Sequence, residues 1–139
     1  MPTSSLELML RLLLAAGLGA AIGVERELRQ KPAGLRTNIL IALGSALFVA
    51  ISIAFGHAGG TPDRIAAQVV TGIGFLGGGA ILRSGTSVHG MTTAATIWVN
   101  AAVGMAAGAG LYAIAIAALT YFSCFRVLVV ACFRELCDL

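Results

Sequence analysis

The chain has 139 residues, a formal net charge of +3, 58% apolar side chains and only 11% charged ones. Soluble domains are roughly 45–50% apolar, so this composition leaves too little polar surface to coat a soluble globule of this size. The apolar residues come in long runs, which excludes an alternating β-barrel, and no basic stripe interleaved with aromatics points to nucleic acid.

The expected architecture is all-α: one membrane domain over residues 1–139, a polytopic bundle of about five helices near 6–24, 39–55, 65–82, 91–108 and 111–130. The segments from Ile65 to Leu82 and from Met91 to Gly108 carry small and polar residues that a lipid-facing helix does not need. They are expected at the centre, with the rest packed around them.

The first segment, Leu6 to Val24, opens with Glu7 and no lysine and is followed by further apolar segments, so it reads as a retained helix rather than a signal peptide. Arg11 follows Glu7 at i,i+4, the favourable order for an ion pair, and reads either as half of an interfacial pair or as a functional arginine. Gly19 and Gly23 form a small-xxx-small pair that lets another helix approach closely.

Four of the nine basic residues fall in Glu25 to Thr37, E-R-E-L-R-Q-K-P-A-G-L-R-T. Glu25 with Arg29 and Glu27 with Lys31 are i,i+4 pairs if the first helix continues outward. Pro32 stops that helix, Gly34 allows a turn, and Thr37 or Asn38 caps the next helix. The loop reads either as a topology-setting anchor or as a partner- or ion-responsive element with Glu25 and Arg36 in specific roles.

Segment two, Ile39 to Phe55, is a plain span relieved only by Gly44, Ser45 and Ser52. Thr61-Pro62-Asp63 is a helix-start signature. Asp63 is either a first-turn carboxylate favoured by the helix dipole or a functional carboxylate at the membrane face.

In segment three, Gln68, Thr71, Gly72, Phe75 and Gly79 share one helical face. An amide facing lipid is costly, so that face is expected to be buried against protein. Gly74 and Gly78 form G-x-x-x-G, and Gly77-Gly78-Gly79 implies close packing or, less readily, a local opening of the helix. A nucleotide loop is excluded, because no G-K-S/T follows.

A short polar turn from Arg83 to His89 leads to segment four, where Thr92, Thr96, Asn100, Gly104 and Gly108 step at i,i+4. Threonine satisfies itself on the carbonyl four residues back. Asn100 demands an interhelical partner, with Gln68 or Thr71 as candidates. Trp98 falls inside the span, either in the bundle or in lipid. Gly108-Ala109-Gly110 is the turn into segment five, and Cys124, Cys132 and Cys137 read as apolar filler in that terminal helix.

With the Glu25–Thr37 loop inside, the inner side holds Arg26, Arg29, Lys31, Arg36, Arg83, Arg126 and Arg134, and the outer side Arg11 and Arg64. That asymmetry places the N-terminus outside and the C-terminus inside.

The runs G-V-E-R-E (Gly23 to Glu27), K-P-A-G-L-R-T (Lys31 to Thr37), D-R-I-A-A-Q-V-V-T-G-I-G-F-L-G-G-G-A-I-L (Asp63 to Leu82) and G-M-T-T-A-A-T-I-W-V (Gly90 to Val99) resemble the MgtC/SapB membrane family. Gly78 stands where the family has alanine, and Asn100 where it has threonine or an apolar residue. The resemblance implies a multi-pass protein of the bacterial inner membrane, adapted to low magnesium or related stress and, in intracellular pathogens, to virulence. It implies regulation of other membrane proteins, the proton-translocating ATP synthase among them, and this chain resembles a short form without the family's soluble C-terminal domain.

Two functions from different classes follow. One is a regulatory protein that packs glycine-lined helices against a membrane-protein partner or a second copy of itself. The other is a transporter or channel for Mg2+ or another small solute, using Asp63 and Glu25 at opposite faces with Gln68, Thr96 and Asn100 between them. An enzyme is not expected: His57 and His89 fall on opposite faces, and no nucleophile has a placed base. No cofactor is expected, and a metal ligand set is not defined by the sequence.

Overall fold

The computed structural model describes residues 4–57, 61, 63–84 and 86–137, with side chains described for all of these except 57, 84 and 125–137. The chain forms five helices, α1 (Ser5–Leu28), α2 (Leu35–His57), α3 (Asp63–Gly79), α4 (Met91–Gly108) and α5 (Tyr112–Cys137). Of these, α1 and α2 are long and apolar enough on their own to cross a membrane among the described residues.

Helix α1 starts where the Ser4 hydroxyl accepts from the Glu7 N–H at 3.2 Å, the expected N-cap chemistry. It runs one turn beyond the expected end. Ala15, Gly19, Ile22, Gly23 and Arg26 recur at helical spacing, and all are buried. The helix stops at Leu28, four residues before Pro32, because Gln30 adopts φ +52° and Ala33 φ +57°. The turn is therefore made by left-handed backbone and not by the proline.

Helix α2 begins at Leu35, so neither Thr37 nor Asn38 caps it. Instead the Glu27 carboxylate reaches from the end of α1 and accepts from the Leu35 N–H at 2.9 Å. This acidic group at an N-terminus also suits the dipole. It takes Glu27 away from the expected partner Lys31, whereas Glu25 does pair with Arg29, at 2.7 Å.

The centre of the bundle is α1, α2 and α4, which corrects the expectation that the third and fourth helices form it. Glycine decides this. A Cβ at Gly19 would come within 2.7 Å of the Ala42 Cβ and the Asn38 carbonyl oxygen, and one at Gly23 within 2.7 Å of the Leu35 Cα. A Cβ at Gly104 would lie 2.8 Å from the Ala42 Cα, and one at Gly108 2.7 Å from the Ala46 Cα. Helix α2 is thus clamped between backbone-close contacts on two sides. In lipid such contacts gain van der Waals energy that a hydrophobic drive does not supply.

One cluster joins Ala15 and Leu18 of α1, Ala46 of α2, Val103 and Ala107 of α4, and Ala115 of α5. A second joins Ile41 of α2, Val69 and Ile73 of α3, and Ile97 and Ala101 of α4.

Helix α3 touches the bundle along Val69, Ile73 and Gly77, with Gly77 near Ala94 of α4. The face expected to be buried is not: Gln68, Thr71, Gly72 and Gly79 are exposed, and Phe75 is 83% exposed. Added Cβ atoms at Gly72, Gly74, Gly78 and Gly79 would meet nothing within 4 Å. The triple glycine ends the helix at Gly79 rather than packing as a unit, in keeping with its poor helix propensity.

The expected polar turn is a β-hairpin, β1 (Leu82–Ser84) antiparallel to β2 (Ser87–His89). Gly90 leaves it at φ +91°, where a Cβ would strike the Ala80 carbonyl. The turn into α5 falls at Gly108 to Gly110, as expected, with Gly110 at φ +80°.

Candidate functional site

A polar layer crosses the bundle near the end that carries the α1–α2 loop and the hairpin. It begins with Arg26, which is 1% exposed. Its Nη2 donates to the Thr93 hydroxyl at 2.7 Å and to the Pro32 carbonyl at 3.1 Å. A buried guanidinium carries a desolvation cost of several kcal/mol unless its donors are satisfied in good geometry. These bonds tie the end of α1 to the loop and to the first turn of α4.

Asn38 and Asn100, both fully buried, form the next step. The Asn100 Nδ2 donates to the Asn38 carbonyl at 2.8 Å and to its Oδ1 at 3.0 Å. The Asn38 Nδ2 in turn donates to the carbonyls of Ala33 and Gly34. Asn38 thereby satisfies the irregular backbone ahead of α2 while accepting from α4. The Asn100 Oδ1 has no hydrogen-bond partner among the described residues.

A groove of about 1190 Å³ lies beside this layer, between α2, α3 and α4. Its walls are apolar over most of their length, with Leu40, Phe48, Phe75 and Leu76 among them, and Gly44 and Gly72 open its floor. Arg36, His89 and Thr93 line the end near the polar layer. Thr93 therefore belongs to both features, with its hydroxyl turned to Arg26.

The opposite end is held by Arg11, which pairs with Glu7 as expected. It also donates from Nη1 to the Gly108 carbonyl at 3.1 Å, closing the end of α4.

The residues singled out in the sequence separate into two sets. Thr96 and Asn100 are buried in α4, with Gly104 and Gly108 below them. The Thr96 hydroxyl donates to the Thr92 carbonyl at 2.8 Å, the expected i−4 bond. Thr92 itself is exposed. Asn100 finds its partner on α2, not at Gln68 or Thr71 of α3, because Gly104 and Gly108 draw α4 against α2. Gln68 and Thr71 are exposed, with Gln68 lining the groove. Asp63 is an exposed first-turn residue of α3, and Arg36 is exposed in the first turn of α2. Trp98 is 54% exposed and points out of the bundle.

Cys124 is exposed with a free thiol, while the side chains of Cys132 and Cys137 and of His57 lie outside the described residues. Among the described residues, no three His, Cys, Asp or Glu side chains converge as a metal site.

Sequence reasoning missed Arg26, Asn38 and Thr93 as site residues. Arg26 was legible in one respect: it continues the buried series Ala15, Gly19, Ile22 at alternating spacings of four and three. Asn38 depended on where α2 starts. Thr93 depended on the rotation of α4, for which the sequence carries no separate signal.

The sequence model of the MgtC family matches residues 12–135. YhiD of Escherichia coli strain K12, whose name proposes a magnesium transporter, is 48% identical over 137 residues, 94% of this chain and 62% of the relative. The protein slr0014 of Synechocystis, named as uncharacterized, is 53% identical over 110 residues, 79% of this chain and 47% of the relative. MgtC of Salmonella typhimurium strain LT2 is 48% identical over 120 residues, 86% of this chain and 51% of the relative. The chain therefore spans about half to three fifths of the length of these curated relatives. No solved structure matches it. The match runs from α1 through α5 and takes in the whole polar layer, and on it the chain belongs to the MgtC family, a magnesium-related family of membrane proteins.

Proposed function

We propose that this chain is a non-enzymatic regulator of another membrane protein in the bacterial inner membrane, acting in adaptation to low magnesium. It spans the membrane with five helices, and the α1–α2 loop and the hairpin face the cytoplasm. The excess of arginine and lysine at that end supports this orientation.

The observation that carries the regulatory reading is the outward face of α3. Ala67, Thr71, Gly74 and Gly78 follow one another along it at helical spacing, all exposed. Nothing lies within 4 Å of where a Cβ would stand on either glycine. Gly19 and Gly23 of α1 and Gly104 and Gly108 of α4 are used up inside the bundle, so a G-x-x-x-G face directed away from it suits a helix of a second protein. The proton-translocating ATP synthase is the partner the family resemblance suggests, and a second copy of the chain is the other candidate.

The test is Gly78→Leu on α3, with co-purification of membrane partners as the readout. Partner recovery is expected to fall at least tenfold while the monomer inserts and folds as before. Undiminished recovery with correct insertion would remove the α3 face from the proposal.

The name of the Escherichia coli relative favours a second reading, magnesium transport. In that reading the exposed Asp63 is the outer contact and the buried Asn38–Asn100 layer lies on the path. Mg2+ dehydrates reluctantly and prefers carboxylates with retained water, whereas this layer offers amide and carbonyl groups engaged with one another. The regulatory reading is preferred on that chemistry.

A further inference from the structure

We propose that the groove between α2 and α3 holds an anionic phospholipid, its acyl chain lying against the apolar walls and its phosphate at the Arg36 end. This surface is separate from the α3 face assigned to a protein partner, since Gly74 and Gly78 do not line the groove.

The groove has the dimensions of a chain-like ligand. Its volume of about 1190 Å³ is above the roughly 300–1,000 Å³ of sites for compact drug-sized molecules. From Arg36 to Phe48, both on its α2 wall, the helix rises about 18 Å at about 1.5 Å per residue. That is close to one leaflet, about half of a hydrocarbon core about 30 Å thick. Gly44 and Gly72 keep the floor open, and neither has a neighbour within 4 Å of a would-be Cβ. Phe48 supplies a flat apolar wall at the deep end, and Phe75, four residues before the end of α3 at Gly79, one nearer the mouth.

The charge at the mouth selects the headgroup. Arg36 lies in the first turn of α2, where the helix dipole opposes a cation. An exposed arginine there gains from an anion brought to it. The start of α4 opens at the same end, with Gly90 lining the groove and no side chain capping the helix. The positive pole of that helix favours a phosphate. His89 adds a hydrogen-bonding group beside it. A zwitterionic lipid would bring a second cation to a mouth that is already positive.

The experiment uses the whole chain in nanodiscs containing phosphatidylglycerol or phosphatidylcholine, each doped with a lipid of the same headgroup bearing a photoreactive acyl chain. The phosphatidylglycerol probe is expected to label the Leu40–Phe48 and Gly72–Leu76 peptides several-fold more than the phosphatidylcholine probe. Arg36→Gln should reduce that labelling about tenfold, as expected for loss of one charge-assisted phosphate contact. Arg64→Gln, at the far end of α3, should leave it unchanged. Equal labelling by the two probes overturns the proposal. So does Arg36→Gln labelling at the wild-type level, or crosslinking of the same peptides to a second copy or to a protein helix in place of lipid. The headgroup comparison is made on the unaltered chain, so it stands even if a variant misfolds.

Discussion

Glycines in α3 and α4 should respond to the same substitution with opposite sign. Gly104→Ala places a methyl 2.8 Å from the Ala42 Cα and against the Ala42 carbonyl. Both are backbone atoms of α2, so the collision is relieved only by moving one helix away from another. Overpacking of that kind costs about 1–3 kcal/mol, and the gain in helix propensity returns at most about 1 kcal/mol. Since α2 is also held on its other side by Gly19 and Gly23, little room exists for it to retreat. A net loss of about 1–2 kcal/mol is expected, or about 5- to 30-fold in the folded-to-unfolded ratio. Gly74→Ala adds the same methyl to the middle of α3, where nothing lies within 4 Å. It keeps the propensity gain without the collision, so its stability should be unchanged or raised by up to about 1 kcal/mol. Both variants are measured by reversible denaturation in mixed micelles, following helix content. A Gly104→Ala protein as stable as Gly74→Ala would refute the argument that backbone-close contacts with α2 hold the bundle together.

The Asn38–Asn100 pair should be energetically coupled. A double-mutant cycle with Asn38→Ala and Asn100→Ala is expected to give about 0.6–1.7 kcal/mol, the range for polar pairs within membranes, and additive losses would remove the pair as an interhelical tie. Thr93→Val keeps the shape of the side chain but deprives Arg26 of an acceptor, and should lower stability by about 1.5–3 kcal/mol. Thr93→Ser, which keeps the hydroxyl, should retain most of it, and equal melting temperatures for the two would show that the 2.7 Å bond contributes nothing.

Arg26 shows how a buried polar contact can hide in a charged stretch. In sequence it is one of four basic residues in thirteen, and the positive-inside rule accounts for all of them alike. In the structure Arg29, Lys31 and Arg36 are exposed while Arg26 is buried. The difference is one further turn of α1, which keeps Arg26 on the face already occupied by Gly19, Ile22 and Gly23. The conformational break that ends the helix comes from Gln30 and Ala33 at positive φ, and residues of those types carry no preference for it. Asn100 shows the converse. Its need for a partner was readable from the chemistry of an amide in an apolar span, but its choice of Asn38 was not. The glycines below it decide that choice by letting α4 approach α2.

The sequence by itself determined the membrane class, the five helices, the Glu7–Arg11 and Glu25–Arg29 pairs, the turn at Gly108 to Gly110 and the family. Each follows from local spacing, composition or a long ordered motif, and none requires knowing which helix lies beside which. The tertiary structure decided which glycines are spent. Gly19, Gly23, Gly104 and Gly108 meet backbone on α2, while Gly72, Gly74, Gly78 and Gly79 meet nothing. A glycine lacks the side chain that would mark a direction, and its neighbours supply a similar apolar background in α1, α3 and α4. Only the relative rotation of packed helices separates a glycine that closes a contact inside the bundle from one that leaves a surface open for a partner or a lipid.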